Sequence, residues 1–196
     1  MNRSTRINSI KSKFKIVLVL LAIMYGVQLL NSLLPFALNN YGIRPRTVSG
    51  LIGVLVSPIL HVGWWHLFSN TLPLLFLLLT LMIFYEKKWV FVVTFIVIVG
   101  GGLVWLFGRS VNHVGASGLI YGLAGYLIAK GIFEKKFKSL MISFVILIFY
   151  GSLIWGVFPT SYRISWEGHL FGVISGILAA YLTNKLSIEK TNKNHL

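Results

Sequence analysis

The sequence contains no cysteine, no aspartate and few charged residues of any kind. Without cysteine there are no disulfides, no thiolate catalysis and no cysteine-ligated metals. Without aspartate, neither an aspartyl protease nor a Ser-His-Asp triad is available, and no H-E-x-x-H zinc motif occurs. Charged residues make up 11% of the chain, against about 25% in an ordinary soluble domain. A soluble protein is therefore not expected.

Hydrophobic residues make up 56% of the chain and form long apolar runs. The runs predict an all-α polytopic membrane protein, a bundle of six transmembrane helices. The six spans are predicted at about 15–36, 65–85, 89–107, 115–132, 139–158 and 168–185. A basic N-terminal tail (1–14), one membrane domain (15–185) and a short C-terminal tail (186–196) follow from them, with no further domain. The first run is longer than a signal-peptide core, so it is counted as a span.

The net charge of +14 comes from basic residues in the connections, not from one basic face. Fourteen of the 18 Lys and Arg residues fall on one side of the six spans, and the other side holds Arg44, Arg46, Arg109 and Arg163. This asymmetry predicts cytoplasmic termini and an even number of spans. Anionic lipids are expected as partners, and nucleic acid is not. The abundance of Lys, Asn and Ile favours a bacterial plasma membrane.

The first outer connection, about residues 37–64, is long and rich in Leu, Ile and Val. Irregular backbone of this composition is unusual in a free loop. We expect the segment to lie partly in the outer leaflet.

Strongly polar side chains near the outer ends of three spans are candidates for function, because such groups are costly in a membrane. They are His61, His66, Asn70, Ser117 and His169. Each has a simpler explanation when taken alone. A serine among glycines is typical of close helix packing, an outer histidine can be hydrated, and an asparagine often bonds a neighbouring helix. Asn70, Ser117 and His169 each lie within about 8 Å of the start of their helix, and this similar depth favours one common site.

A serine hydroxyl is a weak nucleophile unless a base lies within hydrogen-bonding reach. His169 fits this role, and the glycine spacing at 168, 172 and 176 predicts the close contact between spans 4 and 6 that would bring it to Ser117. Glu167 is expected near the water surface and is a poor partner for orienting His169. A Ser-His dyad is the serine arrangement that remains.

Acyl transfer also requires donors for the oxyanion. Gly115 and Gly118 allow a turn around Ser117, whose backbone N–H groups lie at a helix N-terminus. His66 and Asn70, spaced i and i+4, share a helix face and could supply further donors. The histidines could in principle bind a metal, but no acidic residue stands beside the pair in span 2. We therefore expect neither a metal nor a cofactor.

The segments "HVGWWHLFSN", "GASGLIYGLAGY" and "GHLFGVISG", in this order, resemble the rhomboid family of intramembrane serine proteases. The resemblance covers about residues 42–182. It implies a six-helix bundle with a water-accessible cavity open to the extracytoplasmic side. It also implies single-span transmembrane proteins as substrates.

The resemblance carries specific roles onto the matching positions. Ser117 matches the nucleophile of the G-x-S-G motif, and His169 matches the general base, within a glycine-rich span that includes Gly172. His66 and Asn70 match the H-x-x-x-N pair that holds the oxyanion. His61 matches a histidine that supports the entering loop, and Tyr121 matches an aromatic residue that packs on the base.

One departure concerns the first outer loop, which reads "YGIRPRTVSG" and lacks the Trp-Arg pair of some members. Its anchoring is therefore expected to differ. The presence of both dyad residues and of the His66–Asn70 pair implies an active protease. A rhomboid-like protein that binds transmembrane helices without cleaving them is the alternative.

Overall fold

The computed structural model describes residues 3–35, 37–159, 161–162 and 164–193. Arg163, and residues 1–2 and 194–196 of the two expected tails, lie outside the described residues, as do the side chains of Arg3, Lys190 and Lys193. The described residues hold eight α-helices and no strand. The helices are α1 (Arg3–Leu33), α2 (Leu51–Val56), α3 (Trp64–Phe84), α4 (Trp89–Phe95), α5 (Gly101–Phe107), α6 (Ser117–Glu134), α7 (Phe137–Tyr150) and α8 (Trp166–Lys193).

Among the described residues, five helical segments are long and apolar enough to cross a membrane. They are Ser4–Leu33, Trp64–Phe84, Trp89–Phe107, Phe137–Val157 and Trp166–Ser187. The third joins α4 and α5 through a π-helical turn, Ile96–Gly100. The all-α membrane bundle is therefore confirmed, with five candidate spans. The fourth expected span corresponds to α6, where Lys130 and Glu134 lower the hydropathy, and the count of six stays a prediction.

Helix α1 is longer than the sequence pattern indicated. The helix begins at Arg3 and runs without a break through the segment expected to be a basic tail. Hydropathy marks the part of a helix that lies in lipid, whereas helical hydrogen bonding continues into the polar interface. The predicted boundary at residue 15 is thus not a change of secondary structure.

Helix α6 lies at the centre of the bundle. Most of its side chains between Leu119 and Gly131 are buried, and it packs against α3, α7 and α8. The outer faces of its neighbours carry the apolar surface that lipid would cover, such as Phe144, Ile148 and Phe149 on α7. Because α6 has little such surface, it can hold glycines and a buried ion pair.

The close contact between the fourth and sixth expected spans is confirmed at Gly172 of α8. A Cβ added there would lie 3.1 Å from the carbonyl carbon of Gly118 and 3.3 Å from the backbone nitrogen of Gly122, and closer still to Gly118 O. The two helix backbones therefore touch directly, as small residues allow. This contact fixes the position of the first turn of α8 against the first turn of α6.

The first connection is anchored to the end of α5 by backbone and side-chain bonds. Arg46 Nη1 donates to the carbonyl oxygens of Leu106 and Gly108, at 3.1 and 2.9 Å. Trp105 Nε1 donates to Thr47 O at 2.8 Å. The connection includes α2, whose exposed side chains are apolar, namely Leu51, Ile52 and Leu55. An apolar outer surface is what a segment partly sunk in the leaflet requires.

Candidate active site

A sharp turn places Ser117 as the first residue of α6. Gly115 has φ +118°, a conformation that a side chain would strain, and its N–H donates to Ser57 O at 2.9 Å. A Cβ at this position would also lie 2.6 Å from Cε1 of His66. Glycine is therefore required both for the backbone turn and for the close approach of the imidazole. The backbone N–H groups of the first turn of α6 are left without helical partners beside Ser117.

His169, in the first turn of α8, makes a hydrogen bond through each ring nitrogen. Nε2 lies 2.9 Å from Ser117 Oγ, and Nδ1 lies 2.8 Å from the carbonyl oxygen of Gly156. Because a carbonyl only accepts, Nδ1 carries the proton of a neutral ring and Nε2 accepts from the serine hydroxyl. This tautomer is the one a general base requires.

The ring of Tyr121 stacks face to face on the imidazole of His169. The ring centroids are 4.0 Å apart and the planes differ by 3°. Tyr121 lies one turn after Ser117 on α6, so one helix supplies both the hydroxyl and the flat surface that holds the histidine. The ring orientation of His169 is thus defined on three sides, by Ser117, Gly156 and Tyr121.

His66 and Asn70 lie on the face of α3 that lines the same cleft as Ser117 and His169. Asn70 is buried, and its Nδ2 donates to His66 O at 2.6 Å. The second N–H of this amide remains for another acceptor. The two side chains border the cleft from the helix opposite the Ser117–His169 pair.

His61 supports the turn before α6 from behind. Its Nε2 accepts the N–H of Ala116 at 3.4 Å, and its ring meets that of His66 edge-on at 5.1 Å between centroids. Burial, and secondarily the neighbouring His66, lowers the pKa of His61 from 6.5 to about 4. His61 is therefore neutral at physiological pH and is a structural residue behind the cleft.

Two polar contacts next to the dyad were missed by the sequence reasoning. His113 Nδ1 lies 2.6 Å from Ser165 Oγ, and Nε2 lies 3.0 Å from Arg109 O. Ser165 Oγ also accepts the N–H of Gly168 at 3.3 Å, which caps the start of α8. A signal was present, since a histidine stands four residues before Ser117.

The second missed contact is the ion pair of Arg109 with Glu167. Arg109 Nε lies 2.5 Å from Glu167 Oε1, and the side chain of Glu167 is only 3% exposed. The side chain of Glu167 is therefore shielded from solvent by the protein, and Arg109 compensates its buried carboxylate. The pair fixes the connection after α5 to the first turn of α8. Glu167 does not orient His169, whose Nδ1 is bound to Gly156.

The cleft in front of Ser117, here called the Ser117 cleft, has a volume of about 840 Å³. Its lining combines polar groups with apolar side chains, namely the exposed Trp65 and Tyr162 and the half-buried Leu153. Such a cleft accommodates an extended peptide with apolar side chains. Among the described residues, no group of three His, Cys, Asp or Glu side chains is placed to hold a metal.

Residues 48–186 match the Rhomboid domain. Because this match covers most of the chain, the protein belongs to the rhomboid family. It is accordingly a multi-pass membrane protein, in agreement with its apolar helices. The resemblance carried by the three sequence segments is confirmed at the level of the family.

Several mycobacterial proteins are similar to this chain over most of its length. Uncharacterized proteins of Mycobacterium tuberculosis (strain ATCC 25618 / H37Rv) and Mycobacterium bovis (strain ATCC BAA-935 / AF2122/97) are each 37% identical over 175 residues. An uncharacterized protein of Mycobacterium leprae (strain TN) is 36% identical. The matches cover 85% of this chain and 69–73% of the relatives. They extend the similarity beyond the Rhomboid domain but name no activity.

Proposed function

We propose that this protein is an intramembrane serine endopeptidase that cleaves transmembrane segments of other membrane proteins. The observation that carries the proposal is the pair of hydrogen bonds of the His169 ring, to Ser117 Oγ and to Gly156 O. A serine bonded to a correctly protonated imidazole, at the wall of a cleft, is the arrangement that acyl transfer needs. Membership of the rhomboid family supports the same reaction class.

In the proposed reaction, Ser117 Oγ attacks the scissile carbonyl carbon and its proton passes to His169 Nε2. The oxyanion accepts hydrogen bonds from the backbone N–H of Ser117 and from the side chains of His66 and Asn70. The C–N bond then breaks, and the leaving amine takes the proton from His169. An ester on Ser117 remains. Water from the Ser117 cleft gives a proton to Nε2 and hydrolyses this ester, which restores the hydroxyl.

The substrates we propose are single-span transmembrane proteins, lying in lipid beside the bundle. Their helix has to unwind locally, because a helical carbonyl is already hydrogen-bonded and shielded. The aromatic and aliphatic walls of the Ser117 cleft suit the unwound segment. Small residues near the cut are expected from the family.

We further propose that α6 is a sixth crossing, with both termini in the cytoplasm of a plasma membrane and the Ser117 cleft facing outward. The central position of α6 explains its lower hydropathy, since its surface meets protein instead of lipid. Because the chain has no cysteine, single cysteines can test the topology. A cysteine at Lys11 or Lys136 should be labelled from the cytoplasmic side, and one at Arg44 from the outer side. Labelling of all three from one side would contradict the proposed orientation.

The test of the activity is cleavage of a model transmembrane substrate in liposomes. Ser117→Ala and His169→Ala should each lower the rate by about 1,000-fold or more. Ser69→Ala, a serine in the same cleft, serves as the control and should cleave normally. Wild-type rates for the two dyad variants would refute the dyad.

A fluorophosphonate probe separates this proposal from the alternative of a non-catalytic helix binder. Labelling of the intact protein that disappears in Ser117→Ala supports an activated serine. A protein that binds transmembrane helices, is not labelled and cleaves nothing would be a binder instead.

A further inference from the structure

A second cavity lies at the end of the bundle opposite the Ser117 cleft, where α3 and α6 end and α7 begins. Its volume is about 460 Å³. We call it the basic cavity, and its charged lining residues are Lys87, Lys88, Lys136, Lys138, Glu86 and Glu134. The proposed peptidase reaction uses none of these side chains.

The two carboxylates of the basic cavity are already paired with lysines outside its lining. Glu86 Oε1 lies 2.7 Å from Lys13 Nζ, and Glu134 Oε1 lies 3.0 Å from Lys130 Nζ. Ser139 donates a further hydrogen bond to Glu134. Within the described residues, the four lining lysines form no ion pair. The cavity therefore carries an uncompensated positive charge.

Lys88 is the half-buried lysine of this group, whereas Lys87, Lys136 and Lys138 are exposed. Its Nζ donates to two neutral acceptors, Thr183 O at 3.0 Å and Ser187 Oγ at 2.7 Å. Burial, followed by the charge of Lys130, lowers the pKa of Lys88 below its ordinary value. An anion in the basic cavity would reduce this repulsion.

A buried hydroxyl at the cavity also lacks a partner. Tyr85 is 9% exposed and lines the cavity. In the part of the chain that the structure describes, its Oη makes no hydrogen bond of normal geometry, because the neighbouring Ser139 hydroxyl donates to Glu134 instead. A buried hydroxyl without a partner is destabilising, by the loss of its hydration. An oxygen-rich anion in the cavity would accept this hydrogen bond.

The remaining wall of the cavity is apolar and continues onto the lipid-facing surface. Ile83 and Phe84, at the end of α3, line the cavity and are exposed. Lys138 Nζ lies 4.7 Å above the ring of Phe84, so charge and apolar surface adjoin directly. This combination fits an amphiphile better than a free inorganic ion. We propose that the basic cavity binds the headgroup phosphate of an anionic phospholipid, whose acyl chains lie along the apolar faces of α3 and α7.

The proposal is tested with delipidated protein in nonionic detergent and phosphate-free buffer. Binding of dioleoylphosphatidylglycerol is measured by native mass spectrometry, and stabilisation by thermal unfolding. The test variants are the double substitution Lys136→Gln/Lys138→Gln, at two exposed positions where we expect the fold to be unchanged, and Tyr85→Phe, which keeps the charge. The control is Lys11→Gln/Lys15→Gln, which removes the same charge from exposed positions at the same end of the bundle but outside the cavity.

Phosphatidylglycerol should bind and stabilise the wild type and the control, whereas phosphatidylcholine should not. The Lys136→Gln/Lys138→Gln variant should bind about 10-fold or more weakly, and Tyr85→Phe several-fold more weakly. Equal binding by the control and the lysine variant would overturn the proposal. So would equal effects of the two lipids, or full stabilisation by inorganic phosphate alone, which would indicate a free-anion site. Peptidase activity enters none of these measurements, so the outcome is independent of the proposed function.

Discussion

The substitution Gly172→Ala tests whether the contact between α6 and α8 sets the geometry of the dyad. The added Cβ would lie 3.1 Å from the carbonyl carbon of Gly118 and nearer still to its oxygen. Backbone atoms cannot rotate away as a side chain can, so the two helices have to separate. Normal contacts of a carbon atom are about 3.5–4.0 Å, and relieving the still closer approach to Gly118 O requires a displacement of about 1 Å.

The consequence for the dyad follows from the distances. Ser117 Oγ and His169 Nε2 are 2.9 Å apart. His169 lies one turn before Gly172, so a separation of about 1 Å stretches this hydrogen bond to about 3.9 Å, beyond the usual limit. Misplacement of about 1 Å lowers catalytic rates about 100-fold. Overpacking of this kind also destabilises a protein by about 1–3 kcal/mol.

The assay compares Gly172→Ala with two other glycine variants, in cleavage rate and in thermal unfolding. Gly118→Ala places a Cβ 3.3 Å from Gly168 O, a tight contact that requires a shift of only a few tenths of an ångström, and should lose less activity than Gly172→Ala. Gly102→Ala meets no atom within 4 Å and should be as active as the wild type, with stability unchanged or higher by up to about 1 kcal/mol. Wild-type rate and stability in Gly172→Ala would refute the argument that direct backbone contact positions the base.

Three further predictions concern side chains around the site. Tyr121→Ala removes the ring stacked on His169 and should lower cleavage about 10-fold, whereas Tyr121→Phe keeps the ring and should cleave normally. Because the pKa of His61 is lowered from 6.5 to about 4, the unfolded chain binds a proton that the folded protein excludes. Stability should fall as the pH decreases from about 6.5 to 4, by up to about 3 kcal/mol, and His61→Gln should flatten this part of a thermal-unfolding profile. Arg109→Ala leaves the buried carboxylate of Glu167 unpaired and should lower the free energy of unfolding by about 2 kcal/mol. This is less than for a fully buried ion pair, because Arg109 is partly exposed. Unchanged stability in that variant would mean that the ion pair is not structural.

The sequence was most informative where hydrophobicity alone decides the structure. The second and third spans were predicted at 65–85 and 89–107, and the helical segments are Trp64–Phe84 and Trp89–Phe107. Two short elements, α2 and the π-helical turn, were not predicted, because no distinctive sequence pattern marks them. Their geometry depends on packing, for example on Gly53, where an added Cβ would collide with the backbone of the first connection.

The candidate site was predictable to the extent that its contacts have sequence patterns. The glycine spacing on α8 predicted the helix contact that places His169 beside Ser117. The partner of His169 Nδ1, by contrast, is the carbonyl oxygen of Gly156, and every residue has such a group. No sequence pattern could select it. The anchoring by Arg46 was likewise hidden, because its acceptors Leu106 and Gly108 contribute backbone oxygens.

The absence of aspartate and the backbone partner of His169 are physically related. A carboxylate beside the imidazole would have to be buried and would require compensation of its own. The carboxylate of Glu167 illustrates this cost, since it is held by Arg109 and is not free to pair with His169. The carbonyl of Gly156 fixes the same tautomer without adding a second buried charge. In an apolar bundle, a neutral acceptor is therefore sufficient to orient the proposed base, and the proposed dyad needs no third ionisable residue.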